Sequence, residues 1–268
     1  MNKVFRFFPA APVHSESIVT AVREPFDAEV LELCIYGCEG ITKYVARQIA
    51  VQSQGGDEHF SAAFADDEFA ACAQLRRSPD KLFLNYIVVR PAFRSQGLAS
   101  RLLAKAVTFA GAENRREIVL DVFADNAIPL AWYERLGFQR ISTAAWRTIP
   151  LIPGDEVPVV LSDYPQAEAC QREYGFSKFG VWAGGRSYNI GRLGTKWYRL
   201  TQPEALEAPG LTALLSRLDP GRNVFLLAAD NAPISGTQAR LVARSYRMEA
   251  NLESMRERLA RIETNDPS

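Results

Sequence analysis

The fold is decided by the stretch Val88-Val89-Arg90-Pro91-Ala92-Phe93-Arg94-Ser95-Gln96-Gly97-Leu98-Ala99-Ser100-Arg101-Leu102-Leu103. The apolar run Leu84–Val89 predicts a buried strand, and Pro91 ends it because proline has no backbone N–H to donate to a sheet. From Leu98 onward, leucine recurs at helical spacing. The stretch therefore predicts a strand, a short basic loop and an amphipathic helix.

The loop between this strand and this helix has the features of an anion site. The first turn of a helix leaves backbone N–H groups without partners and carries partial positive charge. Arg94 and Arg101 add positive charge, and Gly97 lets a ligand approach the backbone closely. Together these features predict a cradle for a pyrophosphate.

A second strand and helix follow along the chain. Glu117–Ala124 predicts a strand, and Ala127–Leu136 predicts a helix that Gly137 closes. Asn126 stands where this helix begins and suits an N-cap. Tyr133 lies within the helix, where a tyrosine commonly packs on a sheet.

The spacing Arg94-x-x-Gly97-x-Ala99, followed by Asn126, Tyr133 and Gly137-Phe138, resembles the GNAT family of N-acetyltransferases over residues 15–150. The resemblance implies an α/β (α+β mixed sheet) GNAT acyl-CoA N-acyltransferase fold. It also implies acetyl-CoA as the cofactor and direct attack of an amine on the thioester. The cofactor-binding residues that it implies are Val88, Val89, Arg94, Ser95, Gln96, Gly97, Leu98, Ala99, Ser100, Asn126 and Tyr133.

The resemblance assigns Tyr133 the role of general acid, which hands a proton to the CoA sulfur. The general base is less defined, because the strand position at which many members carry Glu or Asp is Asn85, which cannot titrate. Asp121 on the neighbouring strand, Glu58 and His59 are candidates by location. A solvated or ion-paired role for the two carboxylates, and a capping or surface role for His59, remain open.

The remainder of the first half agrees with this order of elements. Residues 26–52 predict one helix or two short ones, with a break at Gly37 and Gly40. Residues 59–75 predict a hairpin around an acidic turn. Strands followed by alternating helices and strands indicate a mixed sheet that helices cover on both faces.

Residues 151–268 resemble a second, weaker copy of the first half. Residues 179–191 predict a hairpin with a Gly-Gly turn that corresponds to the first hairpin. Leu211–Leu218 corresponds to the helix that opens at Leu98. We therefore predict a tandem chain with a GNAT acetyltransferase domain at 1–150 and a degenerate GNAT-like domain at 151–268. A chance likeness between two β-α-β units is the alternative.

The second copy departs from the motif at its basic loop. Glu207 and Pro209 stand where Arg94 and Gln96 stand in the first copy. A carboxylate repels a pyrophosphate, and proline removes an N–H donor. We expect that this copy no longer binds CoA.

Composition restricts the class of partner. Lys and Arg together number 31, as do Asp and Glu, so the formal net charge is zero and gives no electrostatic case for nucleic acid or an anionic membrane. No apolar run approaches the roughly 20 residues of a membrane span, and the N-terminus does not resemble a secretion signal. The four cysteines are interpreted as small core residues in a reducing compartment, and with two histidines a zinc site has little support. These features predict a cytoplasmic protein.

The sequence therefore predicts an N-acetyltransferase that uses acetyl-CoA and acts on a primary amine of a small molecule or an amino-acid-like acceptor. Two alternatives stay open. Asn85 favours a non-catalytic acyl-CoA sensor or interaction protein, and the acceptor could instead be a protein or peptide. The identity of the acceptor, the acyl chain length and a homodimer are not decided by the sequence.

Overall fold

The structure is a computed structural model that describes residues 4–111, 115–234 and 238–265. Its strands are β1 (Phe5–Pro9), β2 (Glu58–Ala65), β3 (Glu68–Arg77), β4 (Lys81–Val89), β5 (Glu117–Phe123), β6 (Gln139–Ile149), β7 (Val160–Ser162), β8 (Phe176–Ala183), β9 (Arg186–Leu193), β10 (Trp197–Leu200), β11 (Asn223–Ala229) and β12 (Arg240–Asn251). Its α-helices are α1 (Ser15–Arg23), α2 (Ala28–Glu32), α3 (Ile41–Val51), α4 (Leu98–Phe109), α5 (Ala127–Arg135), α6 (Tyr164–Tyr174), α7 (Leu211–Leu218) and α8 (Leu252–Asn265). In these ranges no helix is both long and apolar enough to cross a membrane.

The chain forms two units, each assembled from separate segments. Unit 1 comprises Met1–Pro25, Thr42–Ser142 and Tyr246–Ser268. Unit 2 comprises Phe26–Ile41 and Thr143–Ser245. The two copies predicted from the sequence meet near residue 150, but the units do not divide at that point. Each unit also takes in a segment from the other half of the chain.

Unit 1 is built on a mixed sheet in the order β1-β2-β3-β4-β5, followed by Tyr246–Asn251 of β12. The pairs β1–β2, β2–β3 and β3–β4 are antiparallel, whereas β4–β5 is parallel and connected through α4. Leu82 and Leu84 of β4 and Leu102 and Leu103 of α4 are at most 2% exposed and belong to one core cluster. The predicted hairpin, strand, helix, strand and helix of the first half are confirmed.

The C-terminal segment completes the core of unit 1. Met248 of β12 and Met255 and Leu259 of α8 are 2% exposed or less and pack in the same cluster as α4. The backbone N–H of Leu252 donates to the carbonyl of Arg116 at 2.8 Å. The apolar residues of this segment therefore cover the core of unit 1, although the segment lies at the end of the second half of the sequence.

Unit 2 repeats the order of elements found in unit 1. Its sheet runs β7-β8-β9-β10-β11 and then Thr143–Ile149 of β6. The β8–β9 hairpin turns at Gly184 and Gly185, and β10–β11 is a parallel pair connected through α7. A hairpin, a strand, a helix and a parallel strand thus recur, which confirms the predicted tandem arrangement and the α/β class.

The predicted break between residues 26 and 52 is confirmed. The helix α2 ends at Glu32, a short 3-10 turn covers Ile35–Gly37, and α3 begins at Ile41. A Cβ on Gly40 would lie 2.4 Å from the carbonyl oxygen of Glu173, so the close approach of two backbones requires glycine there. In unit 2, Leu33 and Cys38 pack with Leu193 and Phe225, which accounts for the place of residues 26–41.

Candidate active site

The parallel pair of unit 1 separates before its strands end. Its pairing runs from Lys81 opposite Glu117 to Leu84 opposite Leu120, while β4 continues to Val89 and β5 to Phe123. Ligands of α/β sheets bind where the carboxyl ends of parallel strands part. Val88 and Val89 lie on the part of β4 beyond its last pair with β5. The separation therefore leaves a cleft at the edge from which α4 and α5 begin.

A β-bulge accompanies the separation. Gln74 of β3 pairs with Tyr86, and the next residue, Leu75, pairs with Leu84, so Asn85 is the extra residue on β4. A bulge bends its strand, increases the local twist and re-aims a side chain. Asn85 thus lies at the point where β4 leaves β5.

The loop before α4 has the backbone of an anion cradle. Ser95 and Gly97 adopt left-handed conformations with φ of 60° and 66°, and Gly97 is the N-cap of α4. Buried Phe93 and Leu98 anchor the two ends of the loop in the core, while Arg94, Ser95 and Gln96 are exposed. The first hydrogen bond of the helix runs from the N–H of Arg101 to the carbonyl of Gly97. The N–H groups of Leu98, Ala99 and Ser100 come before it and therefore have no partner within the helix.

The side chains of this loop differ in their availability to a ligand. Arg94 donates through Nε to the carbonyl of Val89 at 3.1 Å, and Gln96 donates to the carbonyl of Ala92 at 3.5 Å. Ser100 is buried, and its hydroxyl accepts a hydrogen bond from Trp132 at 3.2 Å. The guanidinium of Arg101 stacks over Phe5 and Phe7 of β1, at 5.6 and 5.1 Å from the ring centroids. Of the two arginines that flank the cradle, Arg94 is exposed to an anion, whereas Arg101 is half-buried.

The helix α5 carries the remaining two residues of the predicted cofactor site. Asn126 is its N-cap and is exposed, and its side chain makes no capping hydrogen bond. Tyr133 is 8% exposed, and its ring packs against Trp132 and Phe138. Burial raises the pKa of the Tyr133 phenol above its usual range, which keeps the hydroxyl protonated at neutral pH. In the described part of the chain, that hydroxyl has no hydrogen-bond partner.

Asp121, on β5, is held in a surface ion pair. Its two carboxylate oxygens accept hydrogen bonds from Nε and Nη2 of Arg247, at 2.9 and 2.7 Å. The same guanidinium lies over the ring of Phe83, 5.3 Å from its centroid. A two-pronged pair of this geometry fixes the orientation of both side chains. The ion-paired role that the sequence left open for Asp121 is the one in the structure.

Glu58, at the start of β2, is held by two amides. Gln74 Nε2 and Asn85 Nδ2 both donate to Glu58 Oε2, at 2.8 and 3.1 Å. Burial raises the pKa of the Glu58 carboxyl, while these hydrogen bonds oppose the shift. His59, the next residue, points to the other face of the sheet, since neighbours in a strand alternate. The sequence does not distinguish the surroundings of Glu58 from those of His59, because the contacts of Glu58 depend on how β2, β3 and β4 pair.

The corresponding region of unit 2 is filled by its own chain. Gly210, with φ of 77°, is the N-cap of α7, as Gly97 is of α4. A Cβ built on Gly210 would lie 2.2 Å from the carbonyl oxygen of Val157, and the N–H of Gly154 donates to Thr212 Oγ1 at 3.0 Å. All four residues of β10 pair with β11, so this parallel pair has no long unpaired extension like that of β4.

Comparisons with known proteins agree with this geometry. Residues 31–138 match the sequence model of the acetyltransferase (GNAT) family. The structure is similar to that of a proposed acetyltransferase from Pyrococcus horikoshii, with 14% identity over 94% of this chain and 90% of that one and a TM-score of 0.64. It is also similar to a tandem GNAT protein from the clavulanic acid biosynthesis pathway, with 13% identity over 92% of this chain and 98% of that one and a TM-score of 0.60.

Proposed function

We propose that this chain, whose residues 31–138 belong to the acetyltransferase (GNAT) family, transfers the acetyl group of acetyl-CoA to the primary amine of a small molecule or an amino-acid-like acceptor. The family uses acetyl-CoA, so the chain is an acyltransferase. The observation that carries the proposal is the separation of β4 from β5 after Leu84 and Leu120, at the sheet edge where α4 begins.

The residues present fit acetyl-CoA, which supplies an activated thioester and a pyrophosphate by which it can be held. The first-turn N–H groups of α4 and exposed Arg94 offer donors and positive charge to the pyrophosphate. Backbone groups near Val88 and Val89 extend past the last pair with β5 and can bond a pantetheine amide. Ser100 contributes its backbone N–H, since Trp132 already engages its hydroxyl.

Tyr133 is proposed as the general acid. Its phenol stays protonated because burial raises its pKa, and its hydroxyl has no partner among the described residues. It can therefore donate a hydrogen bond, and then a proton, where negative charge develops on a leaving sulfur. We assign Asn126 to the cofactor site as well; its side chain is exposed and makes no capping hydrogen bond, so its amide is available to a ligand.

We also propose one cofactor site per chain, in the copy at 1–150, and a shaping role for the degenerate copy at 151–268. The Val157 carbonyl presents negative charge to the N-terminus of α7, where a pyrophosphate would need donors. Pro209 removes one of those donors.

The proposal of a small acceptor rests on the zero net charge of the chain, which gives no electrostatic steering toward a polyanion. The cytoplasmic location remains a prediction; none of the four cysteines, all in described ranges, forms a disulfide.

Release of CoA from acetyl-CoA in the presence of a panel of primary amines tests the proposal. We expect amine-dependent release, and a fall of roughly 100- to 10,000-fold in kcat in Tyr133→Phe with acetyl-CoA affinity unchanged. Tyr188→Phe, which alters a buried tyrosine of unit 2, is the matched control and should retain full activity. Binding of acetyl-CoA without release in any amine would instead support the sensor hypothesis.

A further inference from the structure

One carboxylate of unit 1 is buried, yet bonded on one oxygen only. Glu58 is 8% exposed, and the amides of Gln74 and Asn85 both donate to its Oε2. Among the residues described, no donor hydrogen bonds to Oε1. Burial of an ionised carboxylate costs free energy unless the group is paired with a cation, and here its hydrogen-bond partners are two neutral amides. This arrangement leaves Oε1 able to accept a proton.

We propose that Glu58 is the general base of the acetyl transfer and that Asn85 is the residue that positions it. The proposal rests on the proposed function. Asn85 is the bulged residue at the point where β4 leaves β5, so its amide links the cleft to the Glu58 carboxylate through one hydrogen bond of 3.1 Å.

The surroundings of Glu58 suit proton transfer near neutral pH. Burial raises the pKa of its carboxyl, and the charge of Asp57 adds to that increase. The hydrogen bonds from Gln74 and Asn85 and the charge of Arg76 act in the opposite direction. Across from β2, the phenol of Tyr44 on α3 has a raised pKa, caused by its own burial and then by the charge of Glu58. A carboxylate with a raised pKa is a better base at neutral pH than an ordinary one.

The other two candidates fit the role less well. Asp121 has both carboxylate oxygens bonded to the Arg247 guanidinium, whereas Glu58 has one oxygen to which no described donor is bonded. His59 lies on the opposite face of β2 from Glu58. Burial and the nearby charge of Arg77 lower its pKa, which weakens it as a base.

A protonated primary amine gives one proton to Glu58 Oε1, and its nitrogen then forms a bond to the thioester carbonyl carbon. When the carbon–sulfur bond breaks, the electron pair leaves on sulfur, which receives a proton from Tyr133. Tyr133 recovers a proton from the new amide nitrogen through solvent, and Glu58 releases its proton to water.

The test uses Glu58→Gln, which keeps an oxygen for both amide donors and removes the titration. CoA release would be followed with propylamine, glycinamide and trifluoroethylamine, whose basicity falls in that order. We expect kcat/KM to fall by roughly 100- to 10,000-fold with propylamine and least with trifluoroethylamine, which is already neutral at pH 7. Asp67→Asn, an exposed carboxylate in the β2–β3 turn, is the control and should change none of the rates.

Two further measurements separate a base from a structural residue. The acidic limb of the kcat/KM profile should vanish in Glu58→Gln and move to higher pH in Asn85→Ala, because that variant loses a hydrogen bond that lowers the Glu58 pKa. Calorimetric titration should give wild-type acetyl-CoA affinity for both variants.

Two results would overturn the assignment of Glu58. One is a fall in kcat/KM of Glu58→Gln that is equal with all three amines. The other is a fall in kcat/KM that depends on the basicity of the amine in Asp121→Asn. Wild-type protein that binds acetyl-CoA and releases no CoA with any of the amines would overturn the proposed function, and the role of Glu58 with it.

Discussion

Replacing Met255 with alanine tests whether the end of the chain stabilises the unit that contains the proposed cofactor site. Met255 is fully buried in the unit 1 core, in one cluster with Leu102 and Leu103 of α4. Truncation of a buried methionine to alanine costs about 2–5 kcal/mol. We expect about 3 kcal/mol, which corresponds to a fall in the melting temperature of roughly 6–12 °C for a protein of this size.

Calorimetry would measure the melting temperature, and amide hydrogen exchange would locate the loss. Peptides from α4 and β5 should lose protection in Met255→Ala, while peptides from β10 and β11 should keep theirs. Glu257→Ala is the control on the same helix, since its side chain is 62% exposed and pairs with Arg261 only at 3.9 Å. Loss of protection confined to β10 and β11 would refute the assignment of α8 to unit 1.

Three smaller predictions concern residues of the proposed site. Because the Glu58 pKa is raised in the folded state, its ionised form costs stability at neutral pH. Glu58→Gln should therefore melt at or above the wild-type temperature at pH 7, and this advantage should disappear as the pH falls through the ordinary glutamate value near 4.5; an advantage that grows toward low pH would contradict this sign. Arg94→Ala should weaken acetyl-CoA binding by roughly 10- to 100-fold, as loss of a charged hydrogen bond does, with an unchanged melting temperature; equal affinity in titrations would exclude the arginine from the cradle. Asn126→Ala should cost less than the usual ~1 kcal/mol of a lost N-cap, since no capping bond exists, and should lower turnover; a large drop in stability with normal turnover would mean that this residue is structural.

The local elements of unit 1 were predictable because their signals are short-range. The strand β4, the turn at Pro91, the glycine at the start of α4 and the Asn126 N-cap are each written in a few neighbouring residues. The positions of Arg94, Ser95 and Gly97 in the loop before α4 followed from the same stretch. The helix α8 is amphipathic as well, and its pattern shows the limit of such short-range signals. The pattern shows that one face is apolar and does not show which core covers that face.

The contacts of the acidic candidates could not be predicted, because each depends on residues far apart in the chain. Asp121 meets Arg247, which lies 126 positions away. Glu58 meets Asn85 only because a bulge adds one residue to β4, and a register shift of one residue would turn the amide to the other face. The block at the second copy likewise depends on the Val157 carbonyl reaching Gly210. Such long-range contacts depend on tertiary packing, and a single sequence does not display them.

The most direct test of the account is a calorimetric titration of the full chain with acetyl-CoA, beside Gly97→Glu. We expect one site per chain in the wild type and none in the variant, because the new side chain would place a negative charge on the left-handed N-cap of α4, in the proposed cradle. Two sites per chain would contradict the blocked second copy. Wild-type binding that survives in the Gly97→Glu variant would contradict the cradle at α4.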